Sequence, residues 1–220
     1  MQWHTVKTVF EIRFSKPIGV LSGKNQLLSV LSDGKKEIPL NDAVNVQDDK
    51  KKLSIAVASN KIGIVAETGD FEKDAKLISA SYKTISNHFP LPMAIRMGIR
   101  RFSYLEVSGL DSYEEFVGKF REIFYNPSSR IINDADDVAI SLLFNDKCNI
   151  NIGPMRKDEI KSKFLEFSND QDFPELYIFS DLDIFSNKAV TLTNSGVKKF
   201  LDEAKSTSDK YTKLIGEDWK

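Results

Sequence analysis

Residues 93–107 read MAIRMGIRRFSYLEV, and the fold turns on how that stretch is read. Met97, Ile99, Arg101, Ser103, Leu105 and Val107 fall on one side of an extended chain, while Arg96, Gly98, Arg100, Phe102 and Tyr104 fall on the other. A period of two over so many residues predicts a long strand. Immediately upstream, Pro90 and Pro92 close a helix spanning Phe71–His88. Asp70 is its N-cap, with Glu72 and Asp74 in the first turn, and Leu77, Ile78, Tyr82 and Ile85 recur at helical spacing. A long helix entering a long strand through a proline bend is the central joint of the chain.

Working outward, residues 6–14 alternate Val6, Thr8, Phe10, Ile12 and Phe14 with Lys7, Glu11 and Arg13, which predicts a half-buried strand. Residues 20–50, interrupted by Asp33-Gly34 and Pro39, are read as a loop-rich excursion with one short helix or hairpin. Leu53–Ala58 and residues 62–66 form a hairpin across Ser59, Asn60 and Lys61. On the other side, Asp111 or Ser112 caps a helix carrying Phe116, Phe120 and Phe124. Val138, Ile140, Leu142 and Phe144 alternate as a strand, and residues 148–152 form the next, ended by Gly153-Pro154. Residues 176–185 are a further strand. The last helix begins near Asn194 or Ser195, with Val197, Phe200, Leu201, Ala204, Tyr211 and Leu214 as its apolar stripe.

This order predicts an α+β fold, with antiparallel sheet covered on one face by long helices. Each half ends in a long helix after an antiparallel run, which suggests a degenerate duplication of a β-β-β-α unit. No linker divides the chain, so residues 1–220 are read as a single domain with structural halves at 1–90 and 91–220.

Composition narrows the function. With 220 residues, 41% hydrophobic and 29% charged, the chain can bury a core without disulfides or metal. Its formal net charge of -1 argues against a general nucleic-acid binder. Cys148 is the single cysteine, so no intrachain disulfide forms, and no apolar run reaches the roughly 18 residues of a membrane span. The first residues carry no signal-peptide pattern; a cytoplasmic location is expected.

Chemistry-bearing motifs are sparse. His4 and His88 are the only histidines, and neither has metal-ligand spacing; His4 is read as terminal and solvated, His88 as a cation at a helix C-terminus. There is no GxSxG elbow, P-loop or GxGxxG. Asp181 and Asp183, two residues apart, lie on one strand face beside Tyr177, Phe179 and Phe185. Such a pair could hold Mg²⁺ for phosphate-ester chemistry if Asp134, Asp136 or Asp137 converged on it. The simpler reading makes them the wet face of a half-buried strand. Asp170 and Asp172 read as loop.

Arginine is rarer than lysine, yet Arg96, Arg100 and Arg101 cluster beside Phe102 and Tyr104. This set is either a binding face, since arginine beside aromatics grips phosphates, bases or proteins, or an organised set of ion pairs. Gly98 among them suggests a bulge or a close backbone approach. Trp219 is a docked anchor or an interface residue.

The stretch IRMGIRRFSYLEV, with Arg96, Gly98 and Arg100 as R-x-G-x-R after a helix and a proline bend, resembles a sporadically distributed family of uncharacterised bacterial proteins. The opening TVFEIRF with Pro17 nearby, and the final helix with Leu201, Ala204 and Tyr211 before Leu214-Ile215, are similar. Ser103 and Tyr211 depart from the pattern, where asparagine and phenylalanine are more usual. The resemblance implies a bacterial or mobile-element origin, an α+β fold and a conceivable defence setting, and it implies no activity.

The expectation is a non-enzymatic protein-binding or assembly module without a cofactor, whose partner is another protein or a second copy of the chain. A metal-dependent phosphate-ester enzyme acting through Asp181 and Asp183, and a nucleic-acid-binding module using Arg96, Arg100, Phe102 and Tyr104, are the alternatives.

Overall fold

Alternating apolar positions place one side of each strand against a common core, and the capped helices lie over that side. A computed structural model describes residues 2–31, 36–39, 43–125, 135–145, 147–167 and 173–219. In chain order, β1 (Trp3–Phe14) buries Phe10, Ile12 and Phe14, and α1 (Val20–Leu31) buries Leu27 and Leu31, one helical turn apart. β2 (Lys36–Pro39), β3 (Ala43–Asp48), β4 (Leu53–Ala58) and β5 (Lys61–Ala66) follow as a meander, and Val44, Val46, Ile55, Val57, Ile62 and Ile64 share its buried side. α2 (Phe71–His88) starts where the Asp70 carboxylate accepts from the N–H groups of Glu72 (2.8 Å) and Lys73 (3.3 Å).

The second half opens with β6 (Ala94–Glu106) and α3 (Tyr113–Phe124), capped by Ser112, whose Oγ accepts from Glu115 N–H at 3.1 Å. Then come β7 (Ile140–Phe144), β8 (Cys148–Arg156), α4 (Lys157–Lys163), β9 (Leu176–Ser186) and α5 (Asn194–Asp218). Thr193 Oγ1 caps α5 by accepting from Gly196 N–H at 3.0 Å.

The strands form one sheet in the order β2-β3-β4-β5-β1-β6-β9-β8-β7, with every pairing antiparallel. The fold class is therefore α+β. β1 and β6 stand side by side in the middle. From each, the chain crosses through a helix (α1 or α3) to an outer edge and returns strand by strand, and each half closes with a long helix. The repeated unit is strand, helix, meander, helix rather than β-β-β-α, because residues 20–31 form a full helix and β2 pairs with β3, where a loop-rich excursion with one short helix or hairpin was expected. Gly23, Lys24 and Asn25 inside VLSGKNQLLSVL blur its helical period.

The larger hydrophobic cluster lies between the sheet and α1, α2, α3 and α5, so the long helices do share one face. Trp219 ends this layer as an anchor, 1% exposed, against Phe116 and Phe120. A second, smaller cluster occupies part of the opposite face, where α4 and the residues after it cover Phe102, Tyr104, Tyr177 and Phe179. Gly153-Pro154 does not end β8, which continues to Arg156. β7 pairs only as far as Ile152, so Pro154 has a strand neighbour on one side alone, where a missing N–H is tolerated.

Candidate functional site

The charged residues of the long strand meet their partners at the seam of the two halves, where β1, β6 and β9 run together. Register sets this geometry: Arg100 sits opposite Val9 and Asp183, and Gly98 opposite Glu11 and Phe185. Arg100 grips Asp181 with two donors, Nε to Oδ1 at 2.8 Å and Nη2 to Oδ2, while Arg96 Nη2 reaches Asp183 Oδ2 at 3.3 Å. Arg13 Nε donates to Glu11 Oε1 at 2.7 Å on the same face. The guanidinium groups of Arg96 and Arg100 also lie 5.0 Å over the rings of Phe185 and Phe102. Burial pushes the Asp183 carboxyl above its ordinary range, and the neighbouring Arg96 and Arg100 hold it down in part. The bond to Asp181 pushes Arg100 higher still.

Gly98 forms no bulge. The irregularities of the β1–β6 pair lie between Thr5 and Lys7 and between Arg13 and Phe14, and a Cβ at Gly98 would meet its nearest neighbours at 3.6 Å, an ordinary contact. What Gly98 does is leave a trough of about 220 Å³ between Arg96 and Arg100, walled by Val9, Glu11, Arg13 and Asp183.

The other members of the arginine–aromatic cluster do not line this trough. Arg101 points through the sheet to the helical face, 9% exposed, where it donates to Thr5 Oγ1 (3.1 Å), Ser208 Oγ (2.9 Å) and Asp209 Oδ1 (2.7 Å). It therefore ties α5 to the sheet and is no part of an exposed face. Phe102 and Tyr104 share the side of Arg100 but are buried, Phe102 against Phe164 and Phe179, Tyr104 against Phe173 and Tyr177. His4 is not solvated: its ring stacks on Tyr104 at 5.0 Å between centroids. His88 closes α2 as expected, its Nδ1 2.8 Å from Thr84 O.

The cover over these aromatics went unread in the sequence. Tyr177 Oη donates to Arg156 O at 2.6 Å and accepts from Ile160 N–H at 3.1 Å, pinning the start of α4 to β9. Lys7 Nζ, on the outward side of β1 with Val9 and Glu11, donates to Phe164 O (3.1 Å) and Glu166 Oε1 (2.7 Å). Glu67 accepts the N–H groups of Glu166 (2.8 Å) and Phe167 (3.2 Å) and lies 3.7 Å from Lys7. Burial raises the Glu67 carboxyl above its ordinary range, against the lowering effect of those backbone donors and Lys7. A lysine and a glutamate isolated from one another in sequence give no signal of such a latch.

Asp181 and Asp183 are both held by arginine, and among the described residues no group of three or more His, Cys, Asp or Glu side chains converges as a metal site. Asp137 accepts instead from Tyr113 Oη at 3.0 Å, and Asp134, Asp170 and Asp172 lie outside the described residues. Burial pushes the Cys148 thiol to about 11, which leaves it protonated and a poor nucleophile at neutral pH.

Beyond the seam, the first half of this face is uncovered among the described residues. Asn45, Gln47, Ser54, Ala56, Ala58, Gly63 and Val65 alternate with the buried core positions of β3, β4 and β5, and all are half-buried. No helix of the described residues is long and apolar enough to cross a membrane.

No family model and no curated protein matches the chain. Among solved structures it is similar to Methanococcus jannaschii TBP, with 12% identity, 94% of this chain and 99% of that chain covered, and a TM-score of 0.38.

Proposed function

We propose that this chain is a non-enzymatic binding module that engages another protein through the open face of its first half and the adjoining seam. The observation that carries this reading is a broad sheet face of small and polar side chains, half-buried and uncovered among the described residues, beside a trough of ion-paired arginines.

Charge favours protein over nucleic acid. The face sets Arg13, Lys61, Arg96 and Arg100 against Glu11, Asp181 and Asp183, and each arginine already has a carboxylate within 3.3 Å. Phosphate-binding surfaces draw affinity from cations that neutralise phosphates, whereas these arginines are neutralised by the protein itself. The phosphate-ester reading through Asp181 and Asp183 loses support for the matching reason, since both carboxylates are occupied.

Arg100→Ala is a poor probe, because it strands the buried Asp181 carboxylate and so mixes folding with binding. Ala56→Arg places bulk and charge in the middle of the bare face without touching the core. Captures from the native host with wild type, Ala56→Arg and the helix-face variant Lys83→Glu separate the possibilities. A stoichiometric protein retained by wild type and Lys83→Glu but lost by Ala56→Arg is the expected result. Equal capture by all three, or loss only with Lys83→Glu, would overturn the assignment of this face.

A further inference from the structure

The two edges of the sheet are built differently. β2 at one edge reads KEIP, with a charged pair and a proline, the usual means of discouraging strand addition. β7 at the other edge reads ISLLF, uncharged and β-prone, with Leu142 and Leu143 43% and 60% exposed. Among the described residues no strand pairs with its outer side.

The backbone of β7 shows which groups face outward. Phe144 O accepts from Lys147 N–H at 3.0 Å inside the hairpin to β8, so Phe144 directs its polar groups towards β8. Alternation then turns Leu142 and Ile140 the same way, and Ser141 and Leu143 outward. Ala139, next in the outward series, agrees with this, since its carbonyl accepts from Tyr125 Oη of the segment after α3.

We infer that β7 pairs antiparallel with β7 of a second copy of this chain, about a two-fold axis at Leu142, joining two sheets edge to edge. In that register Ser141 faces Leu143 of the second copy and Leu143 faces Ser141, so the outward groups of both strands satisfy one another through about four backbone hydrogen bonds. Leu142 meets Leu142 as the non-hydrogen-bonded pair, with Cα atoms about 4.5 Å apart. Ile140 faces Phe144, so the helical-side residues of one copy continue those of the other, and no like charges meet. A contact of two five-residue strands falls below the usual size of a stable interface, so the dimer is weak. This surface is separate from the open face proposed above for a protein partner.

The register provides the test. In a Cys148→Ala background, Leu142→Cys should form a disulfide-linked dimer under mild oxidation, while Leu143→Cys, which faces serine, should not. Sedimentation of the wild type across about 10 µM to 1 mM should show a mass rising towards the dimer. Leu143→Lys, at an exposed position where folding is undisturbed, should hold the chain monomeric, and Ala56→Arg should leave dimerisation unchanged. A wild type monomeric throughout, a dimer indifferent to Leu143→Lys, or crosslinking through Leu143→Cys as readily as through Leu142→Cys would overturn the inference. None of these results bears on the open face, whose own test uses Ala56→Arg.

Discussion

The two halves of the sheet use the same course of chain but treat their outer faces in opposite ways. In the first half the outward positions of β3, β4 and β5 hold Asn45, Gln47, Ser54, Ala56, Ala58, Gly63 and Val65, and nothing described lies over them. In the second half the corresponding side of β6 and β9 holds Phe102, Tyr104, Tyr177 and Phe179, and α4 with the residues after it lies over them. Side-chain size explains the difference. Aromatic residues bury roughly 150–250 Å² each, enough to hold a covering segment, whereas small and polar residues repay little when covered. A sheet face that needs no cover is free to meet a partner, and one that has acquired cover becomes part of the core.

The largest effect should come from breaking the covered half. Phe179→Ala removes a ring stacked on Phe164 and Phe102 and should cost about 3–4 kcal/mol in urea unfolding. Val65→Ala, an outward truncation in the bare half, should cost less than about 1 kcal/mol by the same measurement. Comparable costs at the two sites would erase the contrast.

Next in size is the latch. Glu67→Ala removes the acceptor for two backbone N–H groups and a neighbour of Lys7, and should cost about 2–3 kcal/mol. Hydrogen exchange should quicken at Glu166 and Phe167 while the amides of β4 and β5 keep their protection. Uniform acceleration would mean that the cover and the sheet unfold as one unit.

The seam should respond more modestly. Arg100→Ala should cost about 1–3 kcal/mol, a range lowered because half of its side chain is in solvent. Adding Asp181→Ala should restore part of that loss, since the stranded carboxylate goes with it. Additive losses in a double-mutant cycle would show that the pair is not coupled.

The smallest effect is a pH dependence rooted under the bare half. Asp74 joins α2 to β1 by accepting from Thr8 Oγ1 (2.7 Å) and Thr68 Oγ1 (2.6 Å), and burial raises its carboxyl above the ordinary range despite these donors. A carboxyl raised on folding binds its proton more tightly in the native state. Its contribution is full below the unfolded-state value near 3.8 and is lost as pH rises through the higher folded value. Thermal midpoints of the wild type should therefore fall more steeply over that window than those of Asp74→Asn; parallel profiles would remove Asp74 as the source.

Much of the architecture was legible because local rules and tertiary environment agree. The caps at Asp70 and at Asp111 or Ser112, the alternation of β6, β9 and most of β1, and the α5 stripe as far as Ala204 each state their own structure, whereas Leu214 is exposed and Ile215 is buried instead. Where they conflict, the reading failed: α1 carries glycine and asparagine in its middle, and Pro154 sits inside β8. The site was legible in parts. Both the arginines and the Asp181/Asp183 pair stood out, and ion pairing was one reading of the arginines, but nothing in either stretch joined one to the other. His4 and Lys7 gave no sign that the second half would fold over them.

The sequence by itself determined the type of most elements, the face on which most strand residues lie, and the want of a recognisable catalytic motif, because these depend on neighbours one to four positions apart; α1, α4 and the side taken by Val6 escaped it. Only the tertiary structure decided that Arg100 meets Asp181, 81 positions away, that Arg101 is consumed by α5, and that Phe102 and Tyr104 are roofed. Those outcomes depend on strand order and register, which are set by the summed burial of the whole sheet, and no local stretch of residues carries that sum.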